Sequence, residues 1–109
     1  MRTELPVIAQ PRMNLAAPDV AEAQAFAALL ADRVRSSILR MLRDGPHCVC
    51  ELAAALGERE NNVSNHLARL RDAGLVHAVR HATNGRFLYY ERDEAAIAAA
   101  RAALDEILR

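Results

Sequence analysis

The sequence contains no run of about eighteen consecutive apolar residues, the length that a membrane-spanning helix requires. Residues 1–15 also lack the long apolar centre of a signal peptide. These two absences predict a cytoplasmic protein without a membrane segment. No nucleophile–base pair, paired catalytic carboxylates or phosphate-binding loop is recognisable, so an enzyme is the least favoured class of protein.

Lysine is absent, and all 14 basic residues are arginine. They are balanced by 14 acidic residues, so the formal net charge is zero. The distribution is uneven, because residues 33–90 contain nine arginines and five acidic residues, a surplus of +4. A basic centre between acidic ends fits a nucleic-acid-binding module held between dimerising helices, although a surplus of this size also arises by chance.

Cysteine is scarce, with only Cys48 and Cys50 in the chain. One intervening residue disfavours a disulfide between them. In a cytosolic protein a close cysteine pair is more often a metal or redox site than a structural crosslink. The 109 residues are the size of one domain with a small core, and dimerisation would bury more apolar surface.

Two short helical patterns meet at Gly57 in the centre of the chain. Apolar residues lie on one face of each pattern: Val49, Leu52, Ala53 and Leu56 in the first, and Val63, Leu67 and Leu70 in the second. The outer face of the second pattern carries polar side chains: Asn61, Asn62, Ser64, Asn65, His66 and Arg69. Such groups read DNA base edges and neutralise phosphate, which predicts a helix-turn-helix. Similar helix pairs also occur in domains that bind no nucleic acid.

The flanking segments complete a mainly helical α+β chain. Residues 1–18 hold three of the four prolines and are expected to form a flexible N-terminal arm, followed by a folded domain over 19–109. Further helices are predicted over 19–31, with Asp19 as its cap, over 32–43 and over 93–108. Strands are predicted over 75–79 and 86–90, joined by an Asn-Gly turn. This hairpin is interpreted as a wing whose tip reaches phosphate or the minor groove through Arg80, His81, Asn84 and Arg86.

Three motifs, H-C-V-C-E-L, N-V-S-N-H-L-A-R-L-R-D-A-G-L-V and G-R-F-L-Y-Y, together resemble the ArsR/SmtB family of metal-responsive repressors. The resemblance covers residues 27–108 and implies a winged helix-turn-helix with five helices and a two-stranded wing. It also implies a homodimer, joined through the first and last helices and bound to inverted-repeat operator DNA. Ser64 and His66 match the S-x-H-L of the family's DNA-reading motif, whereas Arg33 stands where the family usually has proline.

The resemblance also implies a sensing site at the C-V-C motif. A helix N-terminus lowers thiol pKa values, and thiolates select thiophilic ions such as As(III), Cd(II), Pb(II), Zn(II) or Cu(I). Cys48 and Cys50 are therefore predicted to bind the inducer. Arsenite-sensing relatives often have a third cysteine where this chain has Ala53. The remaining ligands are expected from water, a small thiol or one of these side chains: His47, Glu4, Asp19 and Glu22.

Several alternatives remain open. The cysteine pair is alternatively a thiol-based redox or reactive-sulfur sensor in the same fold, or a reduced pair without a sensing role. A metal-trafficking protein is a further alternative, against which the basic winged face argues. The family's second sensing site uses Asp and His on the last helix. That helix has no histidine here, so its acids are expected to be solvated: Asp93, Glu94, Asp105 and Glu106.

Overall fold

The computed structural model describes residues 18–80 and 88–109. Within them lie five helices and three strands: α1 (Pro18–Leu30), α2 (Arg33–Leu42), β1 (His47–Cys48), α3 (Val49–Leu56), α4 (Glu60–Asp72), β2 (Val76–Arg80), β3 (Leu88–Arg92) and α5 (Glu94–Leu108). The predicted mainly helical α+β chain with a helix-turn-helix is confirmed. In the described part of the chain, no helix is long and apolar enough to cross a membrane.

Side-chain caps fix where two of these helices begin. Asp32 Oδ1 accepts hydrogen bonds from the backbone N–H groups of Val34 (2.8 Å) and Arg35 (3.1 Å), so α2 begins at Arg33. The arginine in place of the family's proline therefore leaves the helix boundary where it was predicted. The Asp93 carboxylate accepts a hydrogen bond from the backbone N–H of Ala96 (2.9 Å) and starts α5 in the same way.

The core forms where α2, α3 and α4 meet the sheet. The predicted apolar faces of α3 and α4 are confirmed, because Leu52, Val63 and Leu70 are fully buried. Gly57 has a φ of 65°, a left-handed conformation that glycine adopts without steric cost, and it turns the chain from α3 towards α4. Helix α3, the first helix of the motif, thus comes immediately before the predicted reader helix α4 in the chain and packs against it.

The sheet contains the two predicted wing strands, β2 and β3, paired antiparallel, and adds a third strand, β1. Its strand order is β1-β3-β2, with both neighbouring pairs antiparallel. The prediction missed β1 because a strand of two residues has no alternation to read and its partner lies far along the chain. Strand β2 ends at Arg80, one residue beyond its predicted end. Strand β3 ends at Arg92, two residues beyond its predicted end.

Helices α1 and α5 pack against each other at the edge of the core. Ala23, Ile97 and Ala100 are buried there. The apolar face of α5 continues beyond this contact, and Ile107 and Leu108 are 49% and 73% exposed. A groove of about 300 Å³ runs between the two helices and is lined mainly by small apolar side chains: Ala25, Phe26, Leu29, Ala73, Leu75, Ala96, Ala99 and Ala100, with Glu22.

Candidate DNA interface and cysteine pair

Helix α4 buries its apolar face in the core and turns a polar face outward. Four of the predicted DNA-contacting side chains are exposed on it: Asn61, Ser64, Asn65 and Arg69. Arg69 and Arg71 lie in the last turn, where positive charge complements the helix dipole. Arg80 is exposed at the end of β2. His81, Asn84 and Arg86, like the arm residue Glu4 and the Asp19 side chain, lie outside the described residues.

Asn62 is held at the N-terminal end of α4 by a residue that the sequence analysis did not single out. Its Nδ2 donates to Glu58 Oε1 at 2.8 Å, and Arg33 Nη2 donates to Glu58 Oε2 at 3.4 Å. Glu58 therefore links the start of α2 to the start of α4. It also lines an open polar notch together with these residues: Gly57, Arg59, Asn61, Asn62 and Asn65.

His66 lies against α2, apart from the exposed side chains of α4. Its Nδ1 is 3.1 Å from Arg35 Nη1 and 3.8 Å from Asp32 Oδ1, and its side chain is only 17% exposed. The backbone N–H of Arg35 is the main cause of a lowered pKa at Asp32; desolvation opposes it, and the Val34 N–H, His66 and the charged Arg35 side chain add to the lowering. Asp32 is therefore an ionised cap beside the His66 ring at neutral pH.

The two cysteines are joined by a disulfide at the junction of β1 and α3. This differs from the expectation that their spacing disfavours such a bond. Cys48 is extended whereas Cys50 is helical, and the turn between them brings their Cα atoms to 5.4 Å, within the usual range for disulfides. Cys48 is 4% exposed and Cys50 is exposed.

Cys48 is also the N-cap of α3, in a reciprocal capping box with Glu51. The backbone N–H of Glu51 donates to Cys48 Sγ at 3.4 Å, and the backbone N–H of Cys48 donates to Glu51 Oε1 at 3.0 Å. The bond from Cys48 N–H is the main cause of a lowered pKa at Glu51; desolvation opposes it, and His47, whose Nδ1 is 3.3 Å from Glu51 Oε1, adds to the lowering. The predicted extra ligand His47 is therefore engaged by Glu51.

The structure brings Cys48 and Cys50 together, and it assembles no further ligands around them from the residues that it describes. Among residues 18–80 and 88–109, no group of three or more His, Cys, Asp or Glu side chains is arranged to hold a metal ion. Three of the four acids at the last helix have structural contacts instead. Asp93 caps α5, Glu94 accepts two hydrogen bonds from Arg92 at 2.9 Å each, and Glu106 pairs with Arg109 at 3.3 Å.

This arrangement of helices and sheet agrees with comparisons with known proteins. A family model described as "Bacterial regulatory protein, arsR family" matches residues 32–78. A solved structure described as "Crystal structure of Possible transcriptional regulator for arsenical resistance" superposes with a TM-score of 0.67 and 32% identity, over 75% of this chain and 82% of that chain. The chain belongs to the ArsR family.

Two curated relatives place this ArsR-family chain beside regulators of arsenic resistance. It is 42% identical over 62 residues to the arsenic resistance transcriptional regulator ArsR1 of Pseudomonas putida, covering 56% of this chain and 46% of that protein. It is 43% identical over 49 residues to the arsenical resistance operon repressor of Escherichia coli, covering 44% and 42%. The matched segments thus span less than half of each relative. These names describe regulators, which agrees with the expectation that the chain is not an enzyme.

Proposed function

We propose that this chain is a DNA-binding transcriptional repressor that leaves its operator when a thiophilic metal or metalloid ion binds the reduced Cys48/Cys50 pair. The observation that carries the proposal is the position of the pair. It begins α3, the helix that packs directly before the polar-faced helix α4. The names of the relatives, regulators of arsenic resistance, support a metalloid or metal as the signal.

The repressor acts as a homodimer in this proposal. Two copies of α4 enter successive major grooves about 34 Å apart, which requires an inverted-repeat operator. The groove between α1 and α5 supports a second copy as its occupant, because its small side chains permit close helix approach and the apolar face of α5 continues past the core to Leu108. Pairing would bury apolar surface that a chain of this size leaves exposed.

The inducer requires the disulfide to be open. A dithiol reductant supplies two electrons and two protons, becoming a disulfide itself, and converts the Cys48–Cys50 disulfide into two thiols; each thiol releases its proton when its sulfur binds the ion. Two thiolates suit As(III), Cd(II), Pb(II), Zn(II) or Cu(I), but arsenite generally takes three sulfur ligands and structural zinc takes four ligands. The further ligand is His47 released from Glu51, a carboxylate such as Glu4, Asp19 or Glu22, or a small thiol.

Two contacts connect this site to the predicted DNA-binding elements. Cys48 caps α3, which packs on α4, and it also lies in β1, which pairs with β3 of the wing sheet. An ion that takes Cys48 Sγ from its capping bond with Glu51 N–H therefore acts on both elements. A coupling free energy of about 1–3 kcal/mol weakens operator binding about 5–150-fold.

The binding step is tested by titrating the reduced chain with Cd(II) and arsenite and measuring thiolate-to-metal charge-transfer absorption. We expect one saturable transition that is absent in the Cys48→Ser/Cys50→Ser variant. Glu60→Gln is the matched control, because it removes an acidic side chain from the first turn of α4 and leaves the junction of β1 and α3, where the cysteines lie, intact. Equal absorption by the wild type and the double variant would contradict the assignment of these ligands.

A second candidate function is favoured by the disulfide itself. In this alternative the signal is an oxidant: hydrogen peroxide takes two electrons and two protons from the thiols, which gives the disulfide and two molecules of water. Mass spectrometry of the cysteines, run beside operator binding of the reduced and oxidised chain, tests it. Peroxide-driven release that accompanies loss of two hydrogens supports this candidate, and unchanged operator affinity on oxidation contradicts it.

A further inference from the structure

Arg35 links its own helix, α2, to two further helices through one guanidinium group. From α2, its Nε donates to the backbone carbonyl of Leu29 at 2.9 Å and its Nη2 to that of Ala28 at 3.4 Å, both in the last turn of α1. Its Nη1 reaches Nδ1 of His66 on α4 at 3.1 Å. One planar side chain thus joins the end of α1 to the middle of the predicted reader helix.

The contact with α1 has an electrostatic reason. Helix α1 has no basic residue in its own last turn, where the free carbonyl groups carry partial negative charge. Arg35 supplies positive charge and N–H donors to these carbonyls from the neighbouring helix. These two hydrogen bonds fix the plane of the guanidinium, and therefore the direction from which its Nη1 approaches His66.

The contact with His66 fixes the state of the imidazole ring. A guanidinium has donors and no acceptor, so Arg35 donates and His66 Nδ1 accepts. Nδ1 therefore carries no hydrogen in this contact. Asp32 Oδ1, at 3.8 Å from Nδ1, is beyond hydrogen-bonding distance in this state.

We propose that Arg35 and His66 are positioning residues that set the angle of α4 relative to α1, and that His66 supports operator binding through Arg35 and not through contact with a base. This inference rests on the proposed function, because it names what orients the DNA-reading helix. It reassigns His66 from the DNA-contacting set, and it adds Arg35, which the sequence motif alone does not distinguish from the other arginines.

Two substitutions at position 66 separate the two roles. His66→Asn places an amide oxygen near the position of Nδ1 and keeps an acceptor for Arg35. His66→Gln places its amide near the position of Nε2, where a base-reading group would act. We expect operator affinity within about twofold of wild type for His66→Asn, and about tenfold weaker binding for His66→Gln, the effect of losing one hydrogen bond to a charged group. The reverse order would overturn the proposal.

A double-mutant cycle tests whether the two residues act as one unit. Arg35→Lys keeps the charge but replaces the planar fork with one ammonium, whose donors all lie on a single nitrogen and cannot span the three separate acceptors in the same geometry. The Arg35→Lys/His66→Gln variant should bind no more weakly than the weaker single variant. Additive losses would overturn the proposal. Far-UV circular dichroism and the unfolding midpoint of each variant establish that the compared proteins are folded.

The wild type separates the two ways in which the proposal can fail. If the wild type binds no operator, the proposed function fails. If it binds and only the differences between the position-66 variants and in the double-mutant cycle are missing, the positioning role alone fails.

Discussion

Cys48 lies directly opposite Tyr89 in the antiparallel pairing of β1 with β3. The same cysteine caps α3 through its sulfur. This one residue therefore joins the helix that precedes the polar-faced α4 to a strand of the wing sheet, because it lies in β1 and caps α3.

The first prediction concerns this shared position. Reduction of the disulfide, or Cd(II) binding to the reduced pair, should shift the backbone amide resonances of Tyr89 and Tyr90 in β3 as well as those of α3. Heteronuclear NMR of the labelled chain measures this. The Cys48→Ser/Cys50→Ser variant, treated identically, is the control. Changes confined to α3 would show that β1 does not pass the signal to the sheet.

The second prediction concerns the capping box at the start of α3. Glu51→Gln keeps an acceptor for the Cys48 N–H but replaces a charge-assisted hydrogen bond with a neutral one, and it should lower the free energy of unfolding by about 0.5–1 kcal/mol. Urea unfolding at a fixed redox state measures the difference. Glu60→Gln is the matched control, since Glu60 lies in the first turn of α4 where the cap has no side-chain hydrogen bond.

The same pair of variants has a defined pH dependence. The folded-state pKa of Glu51 is lowered from 4.5, so its stabilising contribution is complete above that value and is lost as the pH falls through the folded-state pKa. The stability difference between wild type and Glu51→Gln should therefore shrink in acid. A difference that grows as the pH falls would contradict the sign of this shift.

The third prediction tests the groove between α1 and α5 as the dimer interface. Ala99→Glu places a carboxylate among small apolar side chains, and burying it unpaired should raise the dimer dissociation constant about tenfold or more. Sedimentation velocity measures the change. Ala55→Glu, at an exposed alanine of α3, is the matched control and should leave the dimer intact. Equal effects of the two variants would contradict this interface.

The fourth prediction separates base reading from phosphate contact on α4. Asn65→Ala should weaken binding to the operator and reduce discrimination against altered sequences, with about 1–3 kcal/mol lost at the contacted base. Arg69→Gln should weaken binding to all sequences alike and reduce the salt dependence by about one ion. Fluorescence anisotropy at several salt concentrations measures both. Unchanged discrimination in Asn65→Ala would remove it from the base-reading set.

Periodic apolar residues explain why much of the fold was predictable. The faces containing Leu52 and Leu67 follow from helical spacing, and Asp32 and Gly57 mark helix ends through local chemistry. Strand β1 carries no such periodicity, because it has two residues and its pairing with Tyr89 and Tyr90 depends on tertiary structure. Local sequence does not encode that pairing.

The candidate site was predictable only where the relevant contacts are local. The C-V-C spacing identified the cysteine pair, and the Cys48-x-x-Glu51 spacing carries a capping signal that the sequence analysis overlooked. The contact of His66 with Arg35 joins residues that are 31 positions apart, so no spacing rule indicates it. Its detection requires the packing of α2 against α4.

The most direct test of the proposed function is operator release by the reduced protein, measured by fluorescence anisotropy during titration with As(III), Cd(II), Pb(II), Zn(II), Cu(I) or peroxide. Wild type and Cys48→Ser/Cys50→Ser are compared on the same operator. We predict that at least one thiophilic ion weakens wild-type binding about 5–150-fold and that the double variant stays bound. Equal release of the double variant by the same ion, or release of the wild type by peroxide alone, would contradict metal sensing at Cys48 and Cys50.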